Sequence, residues 1–118
     1  LSIDNLTVVY DYPASQAALA RVHSNCQTAA RFEIFWGSIE LANGFYELAD
    51  SAEQRQRFNA ELRQREAGTL PQVPMDSYFL QALQEGLPDC AGVALGLDRL
   101  LMCFVGATHI DEDRKSVV

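Results

Sequence analysis

The sequence predicts an α+β fold in which an antiparallel sheet is flanked by helices. Leu6–Tyr12 is rich in β-branched and aromatic residues and stops at Pro13, which is typical of a strand. Two apolar runs then flank the turn residues Gly37-Ser38, which predicts a β-hairpin. Residues 51–67 and 76–85 have helix start and stop signals.

Length and composition indicate one globular domain. The chain has 118 residues and is 48% hydrophobic, which suits a modest core. Its net charge of −7 means that bulk charge does not attract a polyanion such as tRNA, although local arginines can still bind phosphate. No apolar run approaches membrane-spanning length and no signal peptide is visible, so we expect no membrane partner.

The three cysteines, Cys26, Cys90 and Cys103, are odd in number, widely spaced and set among apolar neighbours. This pattern predicts reduced thiols in a cytoplasmic protein, not a disulfide framework or a zinc site. Because the chain opens with Leu1, we expect a fragment or a processed piece.

The hairpin carries paired carboxylates. Because a two-residue loop sets its register, Glu40 is predicted to face Phe35 and Glu33 to face Ala42. The two glutamates then share one face, about 7–8 Å apart at Cα. Carboxylates so placed repel each other unless a cation lies between them, and Mg²⁺ bound to nucleotide phosphates fits. The alternative is a solvated face with both glutamates pointing to water.

Asn43 and Glu47 have the wrong parity relative to Glu40 in a regular strand. A single bulge near Asn43-Gly44 would bring both onto the face of Glu40. Glu47 would then be placed to hold a ligand ammonium, and Asn43 to orient a ligand carboxylate or carbonyl. The solvated face remains the alternative for both residues.

The two helices have recognisable ends. Asp50 and Ser51 open the first, where Ser51 and Gln54 fit a capping box, and Gly68 ends it. The second runs over residues 76–85 and stops at Gly86.

Residues 92–102 predict a buried strand that runs into a helix. The small residues Gly92, Ala94 and Gly96 alternate with apolar ones, so one face of the strand is nearly bare backbone. A bare face lets a flat ligand lie against the sheet. The alternative is a central strand whose small residues serve close packing.

The start of that helix carries a cation. Asp98 is a good N-cap, which places Arg99 in the first turn beside the end of the bare face. A guanidinium there can stack on a base or pair with a phosphate. A surface ion pair is the alternative role for Arg99.

Three stretches resemble the C-terminal third of the class II lysyl-tRNA synthetase catalytic core. They are Arg-Phe-Glu at 31–33, Glu-Leu-Ala-Asn-Gly-Phe-Tyr-Glu-Leu at 40–48, and Gly-Val-Ala-Leu-Gly-Leu-Asp-Arg-Leu at 92–100. The last resembles the third class II signature motif, and the likeness covers residues 6–107. Within the family, residues 13–19 and 40–45 are most similar to the paralogues that modify elongation factor P. The resemblance implies that residues 1–118 are the C-terminal part of a synthetase-like catalytic domain, with the third motif at 92–102.

The resemblance also implies a role for each matching residue. It places ATP against Gly96 and Arg99, with Arg99 as the catalytic cation. Mg²⁺ would be held with ATP by Glu33 and Glu40. The lysine-type substrate would be contacted by four residues: Gly92, Ala94, Asn43 and Glu47.

Ala94 stands where lysyl-tRNA synthetases carry glycine in the third motif. The methyl group narrows the amino-acid pocket, and a change of that size is worth about 1–3 kcal/mol of selectivity. The paralogues that modify elongation factor P prefer (R)-β-lysine over α-lysine, which is the preference that the resemblance implies here.

The implied reaction has two steps, formation of an aminoacyl-adenylate from ATP and transfer of the acyl group to a lysine of elongation factor P. The runner-up is a lysyl-tRNA synthetase fragment that uses tRNA as acceptor, and a non-catalytic interaction domain is the alternative from another class. The first two signature motifs, which build a homodimer interface and grip the α-phosphate, are absent from the sequence. We therefore expect a homodimeric parent protein and an inactive fragment. The charge-rich tail, residues 109–118, departs from the family pattern.

Overall fold

Four strands form one antiparallel sheet in the order β1-β2-β3-β4, which confirms the predicted α+β class. The strands are β1 Leu6–Pro13, β2 Thr28–Trp36, β3 Ile39–Tyr46 and β4 Ala91–Leu95. The structure is a computed structural model that describes residues 5–113. The described chain divides into two units, one of residues 5–46 with 91–113 and one of residues 47–90.

The hairpin of β2 and β3 turns at Gly37-Ser38 as predicted, with Trp36 paired to Ile39. Gly37 has φ of +56°, a left-handed conformation that glycine adopts without steric cost. Phe35 pairs with Glu40, as expected from the loop length. The pairing then shifts at Leu41, and this bulge changes which residues of β3 share a face.

A second bulge interrupts the pairing of β1 with β2. Tyr10 pairs with Phe32, whereas Tyr12 pairs with Ala29 and not with Ala30, so two residues of β2 lie opposite Asp11. Asp11 lies between them with φ of +56°, a conformation that aspartate tolerates better than most residues. The bulge turns Tyr12 onto the opposite face of the sheet from Tyr10.

Strand β4 lies at the edge of the sheet formed by the described residues, so the prediction that it is buried is wrong for this chain. Val93 is 63% exposed and Leu95 is 50% exposed, although both are apolar. Helix α3, Leu97–Val105, follows at once. Its N-cap is Gly96, not the predicted Asp98, which lies in the first turn instead.

The core of the unit that contains the sheet is built around small side chains. Ala17, Ala20 and Ala29 are buried, and Phe45 packs against them. Met102 is the buried residue of α3. A short helix, α4, Ile110–Asp113, takes up part of the charged tail, and residues 114–118 lie outside the described part.

The other unit contains helices α1, Ser51–Ala67, and α2, Ser77–Glu85. The Asp50 side chain accepts from the Glu53 backbone N–H at 2.9 Å, so Asp50 caps α1 and the capping box predicted at Ser51 is wrong. Gly68 ends α1 as predicted. Leu80 and Leu83 are buried on α2. No helix in the described range is long and apolar enough to cross a membrane.

Candidate active site

One face of the sheet collects the predicted site residues of three neighbouring strands. Glu33 on β2 lies directly opposite Asn43 on β3, and Asn43 lies opposite Ala94 on β4. Gly92 faces Phe45 on the same side. Residues directly opposite each other in an antiparallel sheet share a face, so the bare face of β4 continues the face that carries Glu33.

The bulge at Leu41 brings Glu40 onto this face. Residues three apart in a regular strand point to opposite sides, but the extra residue lets Glu40 and Asn43 point to the same side. The predicted pairing of Glu33 with Ala42 is therefore wrong, because Ala42 faces Ile34. A bulge was predicted near Asn43-Gly44, and it lies two to three residues earlier.

The start of α3 binds the carbonyl groups at this bulge. The Gly96 backbone N–H donates to the Leu41 carbonyl at 2.8 Å, and Arg99 Nη1 donates to the Glu40 carbonyl at 2.9 Å. The aliphatic part of Arg99 packs over Gly96, where a Cβ atom would make an ordinary contact with Arg99 Cδ at 3.4 Å. The guanidinium of Arg99 is thereby held beside Glu40.

A cleft of about 390 Å³ opens between β3, β4 and the start of α3. It is lined by five of the predicted site residues: Glu40, Asn43, Ala94, Gly96 and Arg99. Asp98 and Ile110 also line it. The third-motif residues and the hairpin residues, which are about fifty positions apart in the chain, therefore meet in one place.

Glu33 is a buried carboxylate with both oxygens hydrogen bonded. Tyr12 donates its hydroxyl to Oε2 at 2.6 Å, and Arg31 donates from Nη2 to Oε1. Glu33 is 9% exposed, so these two donors replace most of its hydration. Its charge is compensated by Arg31 within the protein.

Tyr12 remains protonated over a wide pH range. Burial raises the pKa of the Tyr12 hydroxyl to about 12, and the hydrogen bond to Glu33 acts in the same direction. The negative charges of Glu33 and Glu40 raise this pKa further, whereas Arg31 lowers it. Tyr12 is therefore a permanent hydrogen-bond donor to Glu33, and Glu40 lies close enough to affect the same hydroxyl.

Sequence reasoning missed Tyr12 and Arg31 as members of the site. Arg31 and Glu33 are two residues apart in one strand, so the period of two already places them on one face. That spacing is the signal for Arg31. Tyr12 reaches the same face only through the bulge at Asp11, for which the sequence before Pro13 has no signal.

The donor set fits a magnesium ion that also binds phosphate. Among the described residues, no group of three or more His, Cys, Asp or Glu side chains could hold a metal ion. Glu33 and Glu40 supply two carboxylates on one face, and Mg²⁺ in nucleotide sites takes one or two carboxylates beside phosphate and water. Asn43 Oδ1 is buried with no hydrogen-bond partner in the described part of the chain, so this amide oxygen is available to accept from a ligand donor or to contact a metal ion.

Glu47 follows β3 directly and belongs to the unit of residues 47–90. Its backbone N–H donates to the Cys90 carbonyl at 3.0 Å, and the residue is partly buried. The predicted ammonium-binding role of Glu47 stays a prediction.

Comparison with known proteins gives the family. A family model described as "tRNA synthetases class II (D, K and N)" matches residues 2–114. The chain belongs to this class II synthetase family. The match covers both the hairpin and the 92–102 stretch, and the resemblance found in the sequence is confirmed.

The class II chain is also similar to individual curated proteins named "Elongation factor P--(R)-beta-lysine ligase". It is 51% identical to the protein of Salmonella arizonae over 88% of this chain and 32% of that protein. It is 53% identical to the protein of Hamiltonella defensa over 92% of this chain and 34% of that protein. The chain thus spans about a third of the length of the curated relatives that it matches.

Proposed function

We propose that this chain carries part of a site that activates a lysine-type amino acid with ATP and transfers it to a lysine side chain of elongation factor P. The observation that carries the proposal is the convergence of Glu40, Asn43, Ala94 and Arg99 on one cleft. The names of the relatives supply the acceptor and the amino acid. The native protein is proposed to be cytoplasmic and homodimeric.

ATP is proposed to lie beside Arg99 and Gly96, at the start of α3. The Arg99 guanidinium is held by the Glu40 carbonyl through Nη1, which leaves its other N–H groups for phosphate. Glu33 and Glu40 would hold Mg²⁺ with the nucleotide. When bound, Mg²⁺ neutralises phosphate charge.

The amino acid is proposed to lie over the bare face of β4. Gly92 and Ala94 leave the backbone accessible there, and Asn43 on β3 lies directly opposite Ala94. Asn43 would orient the carboxylate or carbonyl of the substrate, and Glu47 would bind a substrate ammonium. The methyl group of Ala94 would set the choice between lysine isomers.

The chemistry needs no protein nucleophile. The substrate carboxylate attacks the α-phosphorus of ATP, the bond between the α-phosphorus and the bridging oxygen breaks, and pyrophosphate leaves. The neutral side-chain amine of the acceptor lysine then attacks the acyl carbon, AMP leaves, and the amine loses a proton. Positioning by the Glu and Asn side chains, and neutralisation of phosphate charge by Arg99 and by Mg²⁺ when it is bound, are the contributions expected from this site.

A second candidate is a lysyl-tRNA synthetase, because the family description covers tRNA synthetases for D, K and N. In that case the acceptor is the terminal ribose of tRNA and the first step is the same. The net charge of −7 gives this chain no general attraction for tRNA.

An acceptor assay on the native full-length protein distinguishes the proposed ligase function from the lysyl-tRNA synthetase function. ATP, Mg²⁺ and labelled α-lysine or (R)-β-lysine are supplied, and elongation factor P and tRNA are offered separately. Label on elongation factor P, strongest with (R)-β-lysine, is the expected result. Label on tRNA alone would contradict the proposal, and the 118-residue chain assayed alone is expected to transfer nothing.

A further inference from the structure

Two side chains outside the predicted site hold Glu33. Tyr12 occupies one lone-pair position of Oε2 and Arg31 occupies one of Oε1. A carboxylate has about four such positions, so about two remain for another ligand. Glu33 is therefore fixed in direction without being saturated.

The fold places Tyr12 at Glu33 by a specific irregularity. Regular pairing after Tyr10 would put Tyr12 on the opposite face, and the bulge at Asp11 reverses it. Asp11 is held in turn by His23, whose Nε2 lies 3.1 Å from Asp11 Oδ1. Bulges near functional sites commonly redirect one side chain in this way.

Arg31 is held on several sides. Its guanidinium carbon lies 4.5 Å from the centre of the Tyr12 ring and 5.8 Å from that of Phe45. Nη1 donates to the Gln16 carbonyl at 2.7 Å. These contacts leave the guanidinium little freedom to move away from Glu33. Tyr12 thus contacts Arg31 through its ring and Glu33 through its hydroxyl.

We propose that Tyr12 and Arg31 are positioning residues that hold Glu33 in the orientation in which it binds the magnesium ion of a bound nucleotide. This inference rests on the proposed function. The two residues act through Glu33, since each donates a hydrogen bond to its carboxylate. Tyr12, Arg31 and Glu33 lie beside the residues that line the cleft and are not among them. Groups that orient a metal ligand typically change metal affinity about 10–100-fold when they are removed.

The test is Tyr12→Phe in the native full-length protein, with ATP affinity measured by calorimetry with and without Mg²⁺. The substitution removes one hydroxyl and keeps the ring under Arg31. We expect the Mg²⁺-dependent gain in affinity to fall about tenfold, while affinity without Mg²⁺ is unchanged. Tyr10→Phe is the matched control, because Tyr10 is 69% exposed on the opposite face.

A double-mutant cycle tests whether Tyr12 acts through Glu33. In a Glu33→Gln background, Tyr12→Phe is expected to change the Mg²⁺-dependent gain by less than about twofold. Arg31→Lys keeps the charge and loses the planar fork, so it is expected to reduce the same gain and to lose its effect in the same background.

Three outcomes would overturn the inference. Tyr12→Phe behaves like the wild type, or weakens ATP equally with and without Mg²⁺, or keeps its full effect in the Glu33→Gln background. Failure of the proposed function has a different signature. In that case the wild type shows no Mg²⁺-dependent gain, or Glu40→Gln leaves the gain intact, and the inference is overturned with it.

Discussion

Arg99 Nη1 donates a hydrogen bond to the backbone carbonyl of Glu40 over 2.9 Å, although 59 positions separate the two residues. The carbonyl of the next residue, Leu41, accepts from the Gly96 N–H. The first turn of α3 is thus bound to the bulged segment of β3. This pair of contacts holds the Arg99 guanidinium against the backbone of Glu40, and both residues line the cleft.

Arg99→Ala is expected to weaken ATP binding by at least tenfold, because it removes the cation nearest the proposed phosphate position. A hydrogen bond from a charged group contributes about 1.5–3 kcal/mol, which corresponds to that size of effect. Calorimetric titration of the native protein with ATP is the measurement. Arg63→Ala, an exposed arginine of α1, is the control. Equal affinity in the two variants would remove Arg99 from the ATP site.

Chelation of the metal should make wild-type protein resemble Glu40→Gln. If Glu40 binds Mg²⁺ directly, EDTA weakens ATP binding in the wild type and has little further effect on Glu40→Gln. Titrations of both proteins with ATP in Mg²⁺ and in EDTA give the comparison. A Glu40→Gln protein that still responds fully to Mg²⁺ would show that this carboxylate is not a ligand.

Gly44→Ala is expected to destabilise the sheet unit by about 1–3 kcal/mol, the usual cost of overpacking. A Cβ atom at Gly44 would overlap Cε1 and Cζ of Phe32 and lie 3.0 Å from the Gly92 carbonyl. Denaturant unfolding measures the change. Gly96→Ala is the matched control, since its Cβ would meet ordinary contacts, and its effect should stay within about 0.5 kcal/mol. The cost of Gly44→Ala should shrink when Phe32 is replaced by leucine.

Tyr12 should make stability depend on pH in the alkaline range. The pKa of Tyr12 is raised from 10.0 to about 12 on folding, so the folded state holds this proton more tightly than the unfolded state. Its contribution is fully present below pH 10 and is lost as the pH rises through about 12. The free energies of unfolding in urea of the wild type and of Tyr12→Phe should differ by a constant amount below pH 10 and converge above it. Convergence in the acid range instead would assign the effect to another group.

Ala94→Gly is expected to raise the use of α-lysine relative to (R)-β-lysine. One methyl group in a pocket typically changes selectivity about 10–200-fold. The ratio of kcat/KM values for the two isomers in the native protein is the measurement. Ala91→Gly is the control, because Ala91 lies on the same strand and faces Tyr46 on the other side of the sheet. An unchanged ratio for Ala94→Gly would exclude the methyl group as the selector.

Local patterns predicted which segments are strands and helices, and sequence alone missed the irregularities between them. The Gly37-Ser38 loop and the Gly68 helix end were predicted because one or two residues decide each of them. The predicted pairing of Glu33 was wrong because of the bulge at Leu41, whose carbonyl binds Gly96, a residue distant in the sequence. Leu41 is buried and its carbonyl accepts from Gly96, and neither fact can be read from the hairpin alone.

The apolar pattern of a strand also does not determine whether the strand lies at the centre or at the edge of a sheet. Val93 and Leu95 predicted a buried strand, but an edge strand with one apolar face has the same alternation. The N-cap of α3 is Gly96 and not the predicted Asp98. The Gly96 backbone N–H binds the Leu41 carbonyl, a tertiary contact that the local sequence does not reveal. The grouping of Glu40, Asn43, Ala94 and Arg99 was nevertheless anticipated, because it depends on residue types that the family resemblance already connected.

The two outer strands of the described sheet favour self-association of the isolated chain. Neither β1 nor β4 has a second neighbour in the described residues, and each presents unpaired backbone groups beside exposed apolar side chains. Such edges template pairing with other polypeptides. The isolated polypeptide should therefore scatter light increasingly with concentration, and lysine substitutions at Val8 and Val93 should reduce that scattering without touching the cleft.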